Sequence, residues 1–164
     1  MKVGEVSVIV ALLGVSVLAP ATPASAATVR VAGTITVVSE PPCEAPVFAG
    51  VIARCHTEGF IDTWAGGISG TGFFDERVSI NIVSGELRVS GTETFVGCVG
   101  AVCGTLEWVY HGLGKFDLQT FEPIFINGEQ HFTGGTGGLD GAKGSVMFAL
   151  LGEGPATYQG FIVL

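Results

Sequence analysis

The chain has 164 residues, which corresponds to a single domain, and its 15 Asp or Glu against 7 Lys or Arg give a net charge of −8. An acidic chain without a basic cluster repels phosphate backbones, so nucleic-acid binding is disfavoured. Hydrophobic residues make up 48% of the chain. This fraction excludes an intrinsically disordered protein, because enough apolar surface is present to form a core.

The first 26 residues are typical of a secretory signal peptide. Lys2 precedes an apolar run from Val6 to Ala19, and the small residues "ASA" end at Ala26. The run is too short for a transmembrane anchor, which is the alternative interpretation. We therefore predict a signal peptide at residues 1–26, a secreted domain at 27–164, and no stable membrane association after cleavage.

Four cysteines in an exported chain predict disulfide bonds. Proximity in the sequence favours the pairs Cys43 with Cys55 and Cys98 with Cys103. Zinc is the alternative, but the chain has no C-x-x-C pair and no histidine close to the second cysteine pair. The three histidines are scattered without metal-ligand spacing, so we expect neither a metal nor a cofactor.

The domain has the pattern of β-strands. The segment "VRVAGTITVV" alternates apolar and polar residues, as in a strand with one buried face, and glycine recurs too often for helices. Many strands with glycine-rich turns predict one antiparallel sheet, rolled or stacked. Asp75 and Glu76 are interpreted as a solvated turn rather than a cation site. Further strands are predicted in Val51 to Trp64, Thr71 to Val83, Val146 to Leu151 and the closing "ATYQGFIVL".

One hairpin can be predicted in register. If Cys98 and Cys103 pair across a tight turn, Glu93 lies opposite Trp108, and one face of the hairpin is apolar while the other is polar. Glu93 is the exception, because it is the one ionisable residue on the apolar face. That face carries Leu87, Val89, Glu93, Phe95, Leu106, Trp108 and Tyr110.

The segment "HFTGGTGGLDGAKGSVMF" has six glycines between Gly134 and Gly144. A phosphate-binding loop of the G-x-x-x-x-G-K-[ST] type is excluded, because Lys143 is followed by Gly144. An apolar strand begins directly afterwards, which also disfavours a flexible linker. We predict a wide turn in which several glycines have positive φ.

The same segment, "GGTGGLDGAKGSVMF", resembles the G-G-T-G-x-[FL]-x-G-A-[RK]-G segment of the allene oxide cyclase and dirigent superfamily of barrels. With "GTETFVG", "GTLEWVYHG" and the final "YQGFIVL", it resembles more closely an uncharacterised actinobacterial family with that barrel. The likeness extends over residues 86–164. It implies a barrel of roughly eight antiparallel strands around an apolar pocket, with the glycine-rich turn at its rim. It also implies chemistry on reactive small molecules inside the pocket. The four cysteines and Lys143 depart from the pattern.

Glu93 is the candidate catalytic residue. A carboxyl group on an apolar face loses hydration, which raises its pKa and suits a general acid or a charge stabiliser. The alternative is a structural glutamate that bonds Tyr158, another tyrosine or backbone groups. The candidate ligand-binding residues are Phe95, Trp108, Tyr110 and Tyr158, and the alternative is that such aromatic residues fill the core.

Two functions remain open at this point. The first is a secreted barrel that binds an apolar small molecule in its lumen, with or without cyclase- or isomerase-like activity. The second is a non-catalytic extracellular binding or structural barrel with a packed interior. An eight-stranded barrel is wide enough for either, so the volume of the lumen distinguishes them. The sequence carries no signal for an oligomeric state.

Overall fold

The computed structural model describes residues 26–43, 45–120 and 122–164. The predicted signal peptide lies outside the described residues except for Ala26. No helix among the described residues is long and apolar enough to cross a membrane. The described residues form nine strands: β1 Thr28–Ser39, β2 Val47–Ala49, β3 Ile52–Gly66, β4 Ile68–Asn81, β5 Glu86–Val99, β6 Val102–Asp117, β7 Glu122–Gly137, β8 Lys143–Leu151 and β9 Ala156–Val163.

The strands form one antiparallel sheet that closes into a ring. Sheet order follows the chain from β2 to β9 and then returns to β1, which pairs with β9 on one side and β3 on the other. Gly33 pairs with Gly66 and Ile35 with Trp64 where the ring closes. The prediction of an antiparallel barrel is therefore confirmed. The ring itself has eight strands, and β2 is a short ninth strand that pairs with the first residues of β3.

The predicted hairpin register is confirmed. Glu93 pairs with Trp108 and Cys98 with Cys103, whose Cα atoms are 4.0 Å apart. Cys43 and Cys55 also lie at disulfide distance, with Cα atoms 6.0 Å apart, and connect the segment after β1 to β3.

The predicted turn at Asp75 and Glu76 is wrong. Both residues lie inside β4, which continues to Asn81. The strand alternates, so Asp75 is exposed while Glu76 and Phe74 are partly buried on the inner side. Two adjacent acids are typical of a turn, but the residues on either side of them keep the two-residue period of a strand.

One half of the barrel is filled with side chains. A continuous cluster of buried residues, which we call the packed half, occupies the end of the barrel that holds the β5–β6 and β7–β8 turns. Its members interdigitate as in an ordinary protein core, so this end of the lumen is closed. The packed half consists of Val31, Ile35, Trp64, Ile68, Phe95, Val99, Leu106, Trp108, Leu139, Ala142, Val146, Tyr158 and Ile162.

The glycine-rich turn closes that end. Gly137 and Gly141 have φ of 67° and 74°, which L-residues rarely adopt. Between them the chain turns inward and Leu139 becomes fully buried, at 0% exposure. The turn is further held by a hydrogen bond from Gly138 N to Cys103 O at 2.9 Å. The glycines therefore allow a rim turn that inserts an apolar side chain into the core.

Replacing Leu139 by alanine should lower the free energy of unfolding by about 2–5 kcal/mol, because it leaves a cavity in the packed half. Urea denaturation followed by circular dichroism measures the change. Leu151→Ala is the matched control, since Leu151 is 81% exposed and should cost less than about 0.5 kcal/mol. Equal effects of the two substitutions would contradict the role assigned to Leu139.

Replacing Gly141 by alanine should cost about 1 kcal/mol or more, from backbone strain alone. A Cβ added there meets no atom within 4 Å, so steric contact does not contribute. In Gly134→Ala the new Cβ makes only an ordinary contact with Glu107 at 3.4 Å, and φ is not in the strained range. The same unfolding experiment should show no loss in this control, and a loss of equal size would argue against strain at Gly141.

Candidate functional site

The other half of the barrel contains a cavity of about 560 Å³. It opens at the end opposite the glycine-rich turn, between the first residues of β7, the β8–β9 turn and the last residues of β1. The lumen is therefore divided into a packed half and an open half. The apolar lining of the cavity includes Ile35, Val37, Phe60, Phe74, Val89, Tyr110, Ile126, Phe148 and Leu150.

Glu93 lies at the boundary between the two halves. It is only 4% exposed, yet it lines the cavity. Its Oε1 accepts a hydrogen bond from Trp64 Nε1 at 3.0 Å, and its Oε2 accepts one from Trp108 Nε1 at 2.6 Å. Gln130 Nε2 donates a third, at 3.3 Å, to Oε2. Three donors from β3, β6 and β7 thus meet one carboxyl group on β5.

A second carboxyl group lies beside Glu93. Asp62 is also buried, and its Oδ1 accepts a hydrogen bond from Gly72 N at 3.1 Å. Gly72 separates the two acids: a Cβ at this position would collide with both Glu93 Oε1 and Asp62 Oδ1. Any larger residue here would have to displace both carboxyl groups, because they occupy the space of the missing side chain. We call Asp62 and Glu93 the carboxyl pair.

The carboxyl pair favours a protonated state. Burial, followed by the charge of Asp62, raises the pKa of Glu93 well above its usual range, although the two indole hydrogen bonds offset part of the rise. Burial raises the pKa of Asp62 to about 6. Two carboxylates this close in a desolvated site do not both ionise readily. The pair therefore binds a proton at pH values where exposed carboxyl groups have none, and the two groups titrate as a unit.

A third acid faces the same cavity. Tyr110 donates its hydroxyl hydrogen to Glu76 Oε2 at 3.1 Å. Burial raises the pKa of Glu76 to about 7, and the hydrogen bond from Tyr110 lowers it only in part. Burial, and then the charge of Glu76, raises the pKa of the Tyr110 phenol. Proton donors are thus available at two points of the cavity near neutral pH.

Aromatic rings form one wall of the open half. Phe60 stacks on Phe74 with ring centroids 4.7 Å apart. Tyr110 meets Phe74 edge-on at 6.0 Å and Phe148 at 6.4 Å. All four rings line the cavity, so a flat apolar group could lie against them with Glu76 and the carboxyl pair nearby.

The predicted ligand-binding residues fall in both halves. Tyr110 lines the cavity, whereas Phe95, Trp108 and Tyr158 belong to the packed half. Tyr158 hydrogen-bonds the backbone, accepting from Ile68 N at 2.8 Å and donating to Ile68 O at 3.0 Å. The tyrosine partner expected for Glu93 is therefore replaced by the two indoles and Gln130.

Sequence reasoning missed Asp62, Glu76 and Gln130. The sequence could have indicated that Asp62 is buried. It lies two residues from both Phe60 and Trp64, so all three side chains are on the same, buried face of β3. Glu76 likewise keeps the parity of Phe74 within β4. Nothing local indicates that Asp62 would lie beside Glu93, since the two residues come together only when β3, β4 and β5 are aligned in the sheet.

The histidines lie apart from the cavity. His111 and His131 stack with ring centroids 6.1 Å apart on the outer side of β6 and β7, and Glu129 Oε2 lies 3.2 Å from His131 Nε2. Across the described ranges, no group of three or more His, Cys, Asp or Glu side chains is placed to hold a metal ion.

Comparison with known proteins supports the fold. No family model matches the chain, and no curated protein matches its sequence. A crystal structure of a protein of unknown function from the DUF3224 family of Shewanella oneidensis has a similar fold, with a TM-score of 0.60 and 15% sequence identity. The similarity covers 83% of this chain and 97% of that chain. At this identity the similarity shows the all-β fold alone.

Protein stability should fall as pH rises from about 4 to about 7. The unfolded chain releases the protons of Asp62 and Glu76 near their ordinary pKa values of 3.8 and 4.5, whereas the folded protein keeps them to about 6 and about 7. Each pH unit in which one such group is protonated only in the folded state lowers the free energy of unfolding by about 1.4 kcal/mol. Urea denaturation at several pH values measures this slope.

Glu76→Gln should make the slope shallower between about pH 4.5 and pH 7, because the amide does not titrate but can still accept the Tyr110 hydrogen bond. Glu107→Gln, at an exposed position of β6, is the matched control and should leave the slope unchanged. Parallel curves for wild type and Glu76→Gln would show that Glu76 does not hold its proton in the folded protein.

Proposed function

We propose that this protein is a secreted β-barrel that binds a small molecule with an apolar framework in the open half of its lumen. The observation that carries this proposal is the cavity of about 560 Å³, whose aromatic wall adjoins buried carboxyl groups. Cavities of about 300–1,000 Å³ with apolar walls and few polar groups are the usual form of small-molecule sites. A wholly packed barrel would leave no such volume.

The carboxyl pair supplies the chemistry for a cyclase- or isomerase-like step without a cofactor. In such a step one carboxyl group donates a proton to the bound molecule, and the resulting carboxylate takes a proton back after rearrangement. The proton that is donated is recovered at the end of the step, so no further reactant is needed. Raised carboxyl pKa values in an apolar pocket favour this role. Glu93 and Asp62 are the proposed acid and its partner.

Two further observations support the proposal. The residues of the glycine-rich turn resemble those of the allene oxide cyclase and dirigent barrels, in which known activities act on small molecules inside the lumen. The cysteines lie in two pairs at disulfide distance, which is compatible with the oxidising surroundings of an exported protein. Secretion itself rests on the predicted signal peptide.

The neutral apolar dye N-phenyl-1-naphthylamine tests the binding site. We expect its fluorescence to rise on addition of the protein, because the aromatic wall excludes water from the dye. Ala156→Phe should abolish the rise, since Ala156 lines the cavity near its mouth and a phenyl group there fills the entrance. Ala149→Phe is the matched control, because Ala149 is exposed on the outside of the next strand, β8.

Circular dichroism establishes that both variants are folded. Dye binding that survives Ala156→Phe would place the dye on the outer surface and contradict the proposal. No binding to the wild type, together with no copurifying molecule in native mass spectrometry, would favour the alternative of a structural barrel. If a copurifying compound is converted by the wild type, Glu93→Gln should bind it without converting it.

A further inference from the structure

We propose that the ligand of this cavity is an organic cation, a primary or secondary ammonium group joined to a flat apolar body. The ammonium group lies among Asp62, Glu76 and Glu93, and the apolar body lies on the aromatic wall. This inference rests on the proposed function, because it specifies the chemical class of a ligand whose binding site is the open half of the lumen.

The first observation is the charge of the lining. Six of the residues that line the cavity are Asp or Glu. None of the described residues that line it is lysine, arginine or histidine. A buried acid is compensated either by a proton or by a cationic neighbour, since an unpaired charge in an apolar site is costly. Here the compensating cation is not supplied by the lining itself. Asp62 and Glu93 are buried and Glu76 is partly buried, whereas the other three acids, Glu40, Glu122 and Glu153, are exposed.

The second observation is independent of the acids. Gln130 is 5% exposed and lines the cavity, and its Nε2 donates to Glu93. Its Oε1 is buried and has no hydrogen-bond partner within the described part of the chain. A buried acceptor without a donor is unusual in a folded protein. An N–H donor from a ligand beside Glu93 would satisfy it.

The third observation is the aromatic wall. Cations bind favourably over the faces of aromatic rings, and Phe60, Phe74, Tyr110 and Phe148 surround the same space as the acids. A carboxylate or phosphate ligand would be repelled by those acids that are ionised. A neutral ligand would fill the cavity but could not take the place of the protons that the buried acids retain.

These observations together select an ammonium group that carries N–H. A quaternary ammonium group would satisfy the acids and the rings, but it has no hydrogen to donate to Gln130 Oε1. A bare metal ion could bind that oxygen and the carboxyl groups, but it has no apolar body to lie against the aromatic wall. A protonated amine meets all three requirements, because it supplies charge, N–H donors and an apolar body in one molecule.

Three fluorescent probes of one shape test the inference: 1-pyrenemethylamine, 1-pyrenemethanol and 1-pyrenecarboxylate. Fluorescence anisotropy at neutral pH and about 0.15 M salt, where exposed charges are screened beyond about 8 Å, gives their affinities. We expect the amine to bind at least about tenfold more tightly than the alcohol, and the carboxylate to bind most weakly. Ala156→Phe should abolish binding of the amine, which separates the cavity from the acidic outer surface.

Substitution of the acids should reduce the preference for the amine over the alcohol without abolishing binding of either probe. In Glu76→Gln and Asp62→Asn we expect the advantage of the amine to shrink by about threefold or more, with little change for the alcohol. Glu107→Gln should keep the full advantage. Calorimetry in two buffers of different ionisation enthalpy should detect proton release when the amine binds between about pH 6 and 7, because a nearby cation lowers the pKa of the acids.

The outcomes distinguish the two proposals. Equal affinity for amine and alcohol, with both lost in Ala156→Phe, would overturn the inference and leave the small-molecule site intact. An advantage of the amine that is unchanged in both Glu76→Gln and Asp62→Asn would also overturn it. If neither the three pyrenes nor the neutral naphthylamine dye binds to the protein, the proposed function itself would be overturned.

Discussion

The buried carboxyl group of Glu93 is the constraint on which the interior of this barrel depends. It receives hydrogen bonds from Trp64, Trp108 and Gln130, so that one side chain of β5 joins β3, β6 and β7 across the lumen. The dependence is mutual, because each buried indole N–H needs an acceptor and a buried carboxyl group needs donors. The carboxyl group also marks a boundary. On one side aromatic and aliphatic side chains fill the barrel, and on the other side acids face an open cavity.

The sequence predicted those features that depend on neighbouring residues. The two cysteines at the tip of β5 and β6 are five residues apart, and their pairing determines the register of the whole hairpin. That register, with the two-residue period of a strand, is sufficient to place Glu93 on the inner face. The glycine-rich segment likewise predicts a turn. The missing lysine–hydroxyl dipeptide excludes a phosphate-binding loop, and the apolar strand that follows disfavours a flexible linker.

The rest could not be predicted, because it depends on contacts between residues far apart in the sequence. Trp64 and Glu93 are 29 residues apart, and they meet only when β3, β4 and β5 are aligned and the sheet curls into a ring. The closeness of Asp62 depends further on Gly72, whose missing side chain provides the space. A local pattern also does not reveal which half of a lumen is filled. For this reason the sequence predicts one ligand-binding group from Tyr110, Phe95, Trp108 and Tyr158. Of these four residues only Tyr110 lies in the open half.

The two indole hydrogen bonds to Glu93 give this molecule an internal optical probe. The sequence contains two tryptophans, and both donate to the same carboxyl group. Their emission therefore originates entirely from the boundary between the core and the cavity, with no contribution from tryptophan elsewhere in the chain. Any event that alters the polarity around this carboxyl group, whether gain of a proton or arrival of a ligand, acts directly on the emitting rings. Ultraviolet spectroscopy of the unlabelled protein thus observes the interior site itself.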